Sequence, residues 1–242
     1  MSSIPTATPY TRFTNQTLLI DADDTLWENN IYFERAIAAF ISYLDHRVHA
    51  PEEVREHLNV CERATIAAYG YGLKSFRRSL VDCFEQLSDS PIIPEHHARI
   101  VSFTEAIASN EIELLPAVYS TLCELRECHR LILVTKGNPV EQTDKLKRSG
   151  LDPFFSAIEV VAEKHPAAYR DVICRHHCNP ASTWMIGNSP KSDINPSRTA
   201  GLNAVFIPHD FTWVLEHEVV EPPIAREQLL ELRTFAELLC YF

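Results

Sequence analysis

Three carboxylates in four positions, Asp21, Asp23 and Asp24, follow directly on an apolar run in LLIDADDTLW, residues 18 to 27. Like charges this close repel, and burying them is costly unless a cation compensates. Further polar clusters stand at or near the ends of other apolar runs. Thr135-Lys136-Gly137-Asn138 follows ILV, Lys164 follows AIEVV, and Asn188-Ser189-Pro190-Lys191-Ser192-Asp193 follows WMIG. Brought to one rim, these clusters join the acids to lysines, a threonine and an amide. Paired carboxylates and an amide oxygen make a hard-oxygen site suited to Mg²⁺, which keeps several waters and takes phosphate oxygens as further ligands. The acids would then hold a metal, and one of them could also act as a nucleophile.

Such a rim requires a particular scaffold. TLLIDAD, ILVT (132–135), WMIG (184–187), AVFI (204–207) and, more weakly, AIEVV (157–161) read as short buried strands. Helical patterns lie between them. Residues 139–150 open with Pro and close on Gly, residues 166–178 carry apolar side chains at spacings of 3 and 4, and residues 192–201 contain Pro196. Strands alternating with helices over 131–207 predict a parallel α/β sheet with right-handed crossovers, and such sheets bind ligands beyond the carboxyl ends of their strands. From about 30 to 110 the pattern is helical without interruption, which predicts a helical insertion after the first strand, with ELLPAV (113–118) as the return hinge. The expected organisation is an α/β core over 1–28 and 112–242 and a helical cap over 29–111. FTWVLEHEVVEPP reads as a surface loop, and EQLLELRTFAELL as a final strand and a short helix.

Composition bounds the class. The chain has 242 residues, 45% hydrophobic and 23% charged, with net charge −11. That charge argues against nucleic acid as the main partner, because phosphate backbones demand clustered Lys and Arg. A small phosphorylated substrate needs only local positive charge. No apolar stretch approaches a membrane span, and MSSIPTATPYTRFTNQ lacks the basic start and apolar run of a leader. Seven cysteines without a CxxC fit a reducing cytoplasm.

DADDTL, then VTKGN, then Lys164, then GNSPKSDI resemble the four ordered motifs of the haloacid dehalogenase (HAD) superfamily over roughly 18–210. The helical insert is similar to the small cap that some members carry between the first and second motifs, and DADDTLWENN with VTKGN look most like a bacterial flavin-mononucleotide-phosphatase-like group. The resemblance implies a Rossmann-like core and an Mg²⁺-dependent phosphomonoesterase acting on a small phosphorylated metabolite. Asp21 would be the nucleophile, giving an aspartyl phosphate. Asp23 would protonate the leaving oxygen, then activate the hydrolytic water, with its backbone carbonyl on the metal. Thr135 and Lys164 would bind phosphoryl oxygens, with Lys136 a further candidate. Asp21, Asn188 and Asp193 would complete the metal site. The family usually carries Gly at position 24 and Asp at 188. Asp24 reads as a tight-turn residue, and Asn188 can still offer its amide oxygen with less charge. The same fold and nucleophile serve haloacid dehalogenases, which need neither metal nor the second acid. A non-enzymatic phospho-acceptor shares the acids, Thr and Lys.

Two other stretches could carry chemistry. CRHHC, 174–178, has zinc-ligating residue types, but reads as a helix surface with partly buried cysteines. Tyr69-Gly70-Tyr71-Gly72-Leu73-Lys74 breaks the helical run, as a turn or as a specificity loop through which Lys74 reaches the substrate.

Overall fold

One parallel sheet of six strands organises the computed structural model, which describes residues 12–44, 48–88, 91–222 and 228–242. The reading of the N-terminus falls mostly outside these residues. The strands are β1 (Thr17–Ile20), β2 (Arg130–Lys136), β3 (Ala157–Val161), β4 (Thr183–Gly187), β5 (Asn203–Phe206) and β6 (Leu229–Glu231), in the order β3-β2-β1-β4-β5-β6. Every pairing is parallel. Parallel strands covered on both faces read as unbroken apolar runs. Leu18, Leu19 and Ile20 accordingly have no exposure at all. Successive side chains point to opposite faces, so Leu18, Ile20, Leu131 and Leu133 join one apolar cluster while Leu19, Ile132 and Val134 join the other.

After β1 the chain leaves the sheet for four helices, α1 (Asn30–Tyr43), α2 (Pro51–Tyr69), α3 (Leu73–Leu87) and α4 (Pro94–Ser109). Phe40, Leu58, Leu80 and Ile100, one from each, are fully buried in a cluster of their own. The outgoing and returning segments run side by side. Leu115 N donates to Leu26 O at 3.0 Å and Glu28 N to Glu113 O at 2.9 Å. The predicted hinge at 113–118 is this pairing, with Ala117 in the left-handed region (φ 62°) just before α5.

The sheet is flanked by α5 (Val118–Cys128), α6 (Pro139–Ser149), α7 (Pro166–Arg175) and the short α8 (Asn195–Thr199). The ends of α6 follow its sequence. Asn138 Oδ1 accepts from Val140 N at 2.9 Å and Glu141 N at 3.3 Å, and Gly150 takes the left-handed φ of 70° that ends the helix. Residues 192–201 are not one helix. Pro190–Ile194 forms a π-turn in which Asp193 N and Ile194 N both donate to Ser189 O, and α8 starts beyond it. Pro196, inside that stretch, removes a donor a continuous α-helix would use. In the tail, the expected final strand is β6 and the expected helix is a 3₁₀ turn, Phe235–Cys240. The CRHHC stretch holds no zinc geometry. α7 stops at Arg175, Cys174 is exposed, and His176 Nε2 lies 2.5 Å from Glu159 Oε1. Among the described residues no helix is long and apolar enough to cross a membrane.

Candidate active site

Chain order along the sheet reverses between β1 and β4, and ligands of open α/β sheets bind beyond the strand ends at that reversal. Ile20 pairs with Ile186, and Asp21 N donates to Ile186 O at 2.9 Å. Asp21 and Asn188 thus leave adjacent strands side by side. Lys164, after β3, reaches across to them. Its Nζ donates to Asp21 Oδ1 at 2.5 Å and to Asp193 Oδ1 at 2.7 Å. The π-turn delivers Asp193, whose Oδ2 also accepts from Ser189 N at 3.0 Å. Gly187 makes room for it, since a Cβ there would stand 2.3 Å from Asp193 Oδ2.

These three charges are sealed from solvent, Lys164 at 5% and Asp193 at 1% exposure. Burial lowers the affinity of Lys164 for its proton, but the charges of Asp193 and Asp21 outweigh it and hold the ammonium above its usual range. One lysine does not neutralise two acids. Burial, and then the Asp193 charge, push Asp21 up to about 7 despite the Lys164 contact.

The opposite oxygen of Asp21 has only a hydroxyl for a partner. Thr25 Oγ1 lies 3.2 Å from Asp21 Oδ2 and 3.4 Å from Asn188 Oδ1. A hydroxyl has one proton, so it serves only one of these oxygens at a time. Asn188 Nδ2 donates to Thr212 Oγ1 at 3.0 Å, which turns the amide oxygen toward Asp21. Two underserved hard oxygens beside an uncompensated buried acid fit Mg²⁺. Asp193 is the most buried acid of this group. Each of its oxygens accepts one hydrogen bond, from Lys164 and from Ser189, which leaves a lone pair on each. A second cluster, Asp24, Glu28 and His209, brings possible ligand atoms within 4.8 Å of one another. Asp24 Oδ1 there accepts from Asn29 N at 2.9 Å and Asn30 N at 3.0 Å at the start of α1, with φ at 60°. That is the turn role expected of it.

Asp23 turns away from Asp21 into a nest of donors. Lys145 Nζ and Trp27 Nε1 both donate to its Oδ1 at 2.7 Å, and Gln142 Nε2 to its Oδ2 at 2.8 Å. Burial would raise this carboxyl, but the Lys145 charge and the three hydrogen bonds outweigh it and hold it below the usual carboxylate range.

The remaining expected residues divide. Thr135, 1% exposed, is the last residue but one of β2 and lines the same cleft as the acids. Lys136 also lines it, but its ammonium is engaged, by Glu216 at 2.5 Å, Ser192 Oγ at 2.8 Å and Glu163 at 3.4 Å, and sits 4.7 Å from the Tyr71 ring centre. These contacts brace the wall of the cleft. Lys74 is exposed and does not line the cleft. At the start of α3 its side chain leaves the side on which Ser75, Phe76 and Ser79 line the cleft. Tyr71 and Gly72 of the same stretch do line it. Tyr71 Oη donates to Glu163 Oε2 at 2.7 Å, and Leu73 N meets the Glu141 carboxylate at 3.1–3.2 Å. The loop over 211–222 is no mere surface segment. Thr212, Trp213 and Glu216 form an inner wall, and the Glu216 carboxylate binds Lys136, Ser189 and Ser192. The whole cleft has a volume of about 180 Å³, between the strand ends and α1–α3.

Haloacid dehalogenase-like hydrolases match this chain over residues 16–201, and the chain belongs to that family. A glyceraldehyde 3-phosphate phosphatase of Pyrococcus abyssi is 31% identical over 98 residues, 38% of this chain and 41% of the relative. The chain thus spans less than half the length of that curated relative in the match. The N-acylneuraminate-9-phosphatase of Rattus norvegicus is 23% identical over 211 residues, 77% of this chain and 79% of the relative. Among solved structures, a haloacid dehalogenase-like family hydrolase from Xanthomonas campestris superposes with a TM-score of 0.77 at 28% identity, covering 93% of this chain and 92% of that one.

Proposed function

We propose that this hydrolase is a phosphomonoesterase that works through an aspartyl phosphate on Asp21 and acts on a small phosphorylated metabolite. The observation that carries the reading is the convergence of Asp21, Lys164 and Asn188 at the β1/β4 reversal, with one Asp21 oxygen held by a lysine and the other turned toward an amide oxygen. The phosphatase names of the relatives support it. Mg²⁺ would be held by Asp21 Oδ2, Asn188 Oδ1 and the Asp23 carbonyl, and would supply charge stabilisation to the phosphoryl oxygens.

Asp21 attacks phosphorus as the P–O bond to the leaving group breaks. Lys164 favours the ionised form of Asp21 and aims it, and with Thr135 binds the phosphoryl oxygens as charge develops. Water then attacks phosphorus as the P–O bond to Asp21 breaks and the carboxylate is regenerated, and Asp23 takes the water's proton. The resting arrangement favours this second task, because Lys145 holds Asp23 ionised. To protonate the leaving oxygen in the first half, Asp23 must gain a proton against Lys145, so that lysine sets the balance between the two duties. Residues 29–111 act as a cap over a core formed by 1–28 and 112–242, excluding bulk water. The seven thiols, none in a disulfide, suit a cytoplasmic setting.

A panel of phosphomonoesters including flavin mononucleotide, assayed with Mg²⁺ and with EDTA, tests the reading. Phosphate release that needs Mg²⁺ and is lost in Asp21→Asn supports it. Halide release from 2-haloacids under EDTA would instead make the chain a dehalogenase, and a stable phosphoprotein without turnover would make it a phospho-acceptor.

A further inference from the structure

Glu62 stands apart from the proposed chemistry. It lies on α2, lines the cleft, and is 5% exposed. Its Oε2 is buried without a hydrogen-bond partner. A carboxylate in that state forfeits its hydration for nothing unless a ligand supplies the partner. Of the arginines whose charges reach it, Arg63 pairs with Glu56 at 3.4 Å and Arg55 gives Nη2 to Glu34 at 2.8 Å, while Arg55 Nη1 is buried without a partner and makes no ion pair with Glu62. Burial accordingly pushes its carboxyl up to about 7. Beside it the cleft is walled by Phe33, Ile37, Ile66 and Phe76.

The other charges of the cleft narrow the choice of ligand. Lys136 is paired with Glu216, Lys145 with Asp23, and Lys164 with Asp21 and Asp193. Each lysine lining the cleft already has its acid, so none is reserved for a second anionic group on a substrate.

We propose that Glu62 is the specificity residue of this site and receives a primary ammonium group on the leaving group of the substrate. The substrate class is then an amine-bearing phosphomonoester with an apolar segment between phosphate and amine. This rests on the phosphatase reading above. A charge-assisted hydrogen bond in a buried site is worth on the order of tenfold or more in selectivity.

The test uses the full chain and matched probes: ω-aminoalkyl, unsubstituted alkyl and ω-carboxyalkyl phosphates of increasing chain length. The wild type should prefer the amino over the alkyl ester by about tenfold or more in kcat/KM at one best chain length, with the carboxyalkyl ester poorest. Glu62→Gln should shrink that ratio to below about threefold, and Glu62→Asp should restore part of it at a longer chain. The ratio between matched substrates cancels any general damage to the fold. Hydrolysis of all three series without preference would overturn the Glu62 assignment and leave the phosphatase reading standing. So would a Glu62→Gln variant that melts earlier but keeps the ratio, which would make Glu62 a structural partner of Arg55. No phosphate release from any ester would overturn both.

Discussion

Replacing Lys164 by methionine keeps most of the side-chain volume and removes the charge that two acids share. In the native fold its ammonium stands 2.5 Å from Asp21 and 2.7 Å from Asp193, with the three side chains 2%, 9% and 1% exposed. Breaking a buried ion pair by deleting one partner costs about 3–5 kcal/mol, because the survivor stays charged in a low-dielectric site. Here two carboxylates survive, so at pH 8, without Mg²⁺, the loss should lie at the upper end of that range or above it. The sign of the pH dependence follows. Asp21 already has its folded pKa raised to about 7 from a usual 3.8, and removing the lysine raises it further. The penalty is therefore full above the folded pKa and is relieved as pH falls toward the unfolded value, where one proton can be shared. Urea unfolding of both proteins in EDTA at pH 8 and pH 5 measures this. A loss below about 1 kcal/mol, or the same loss at both pH values, would refute the argument that Lys164 neutralises a buried acid pair.

Other perturbations separate the parts of the site. Lys145→Met removes the charge that holds Asp23 low, so the acidic limb of the kcat profile for an activated aryl phosphate should move to higher pH; an unmoved limb would remove Asp23 as the base. Asn188→Asp adds a negative ligand, so the Mg²⁺ concentration for half-maximal activity should fall and the Tm should depend more steeply on Mg²⁺; coincident titrations would mean position 188 does not ligate. Gly187→Ala places a Cβ 2.3 Å from Asp193 Oδ2 and should cost about 1–3 kcal/mol by overpacking; a Tm equal to wild type would show that the π-turn shifts freely. The metal-free wild type should lose stability as pH rises from 4 to 7, as Asp21, Asp24 and Glu62, each pushed up to about 7 chiefly by burial, become charged inside the fold; a Tm that climbs steadily across that window would contradict their burial as acids.

The strand ends were legible because each buried strand is a short apolar run that stops at its polar cluster, so Asp21, Thr135, Lys164, Asn188 and Asp193 could be assigned to one rim from local pattern alone. Lys145 and Gln142 were not, although they share a face of α6 three residues apart. Which face of a helix meets a distant carboxylate depends on how the helix packs, and α6 reaches Asp23 across about 120 residues of chain. The same holds for Glu216. Its stretch is polar and irregular, the pattern of a solvated loop, yet Lys136, Ser189 and Ser192 together repay the burial of its charge. In the turn between α2 and α3 the chemistry-bearing residue looked like Lys74. The turn instead directs Tyr71 inward and Lys74 outward, because Gly70 and Gly72, at φ 78° and 132°, redirect the backbone in a way no periodic pattern encodes.

The central claim is that Asp21 carries the phosphoryl group. Mixing enzyme with a phosphomonoester and Mg²⁺, quenching in acid within one turnover, and mapping peptides by mass spectrometry tests it most directly. The account predicts a phosphoryl adduct on the peptide containing Asp21, absent in Asp21→Asn, which also releases no phosphate. Phosphate release by Asp21→Asn within about tenfold of wild type, a barrier change of only ~1.4 kcal/mol, would contradict it.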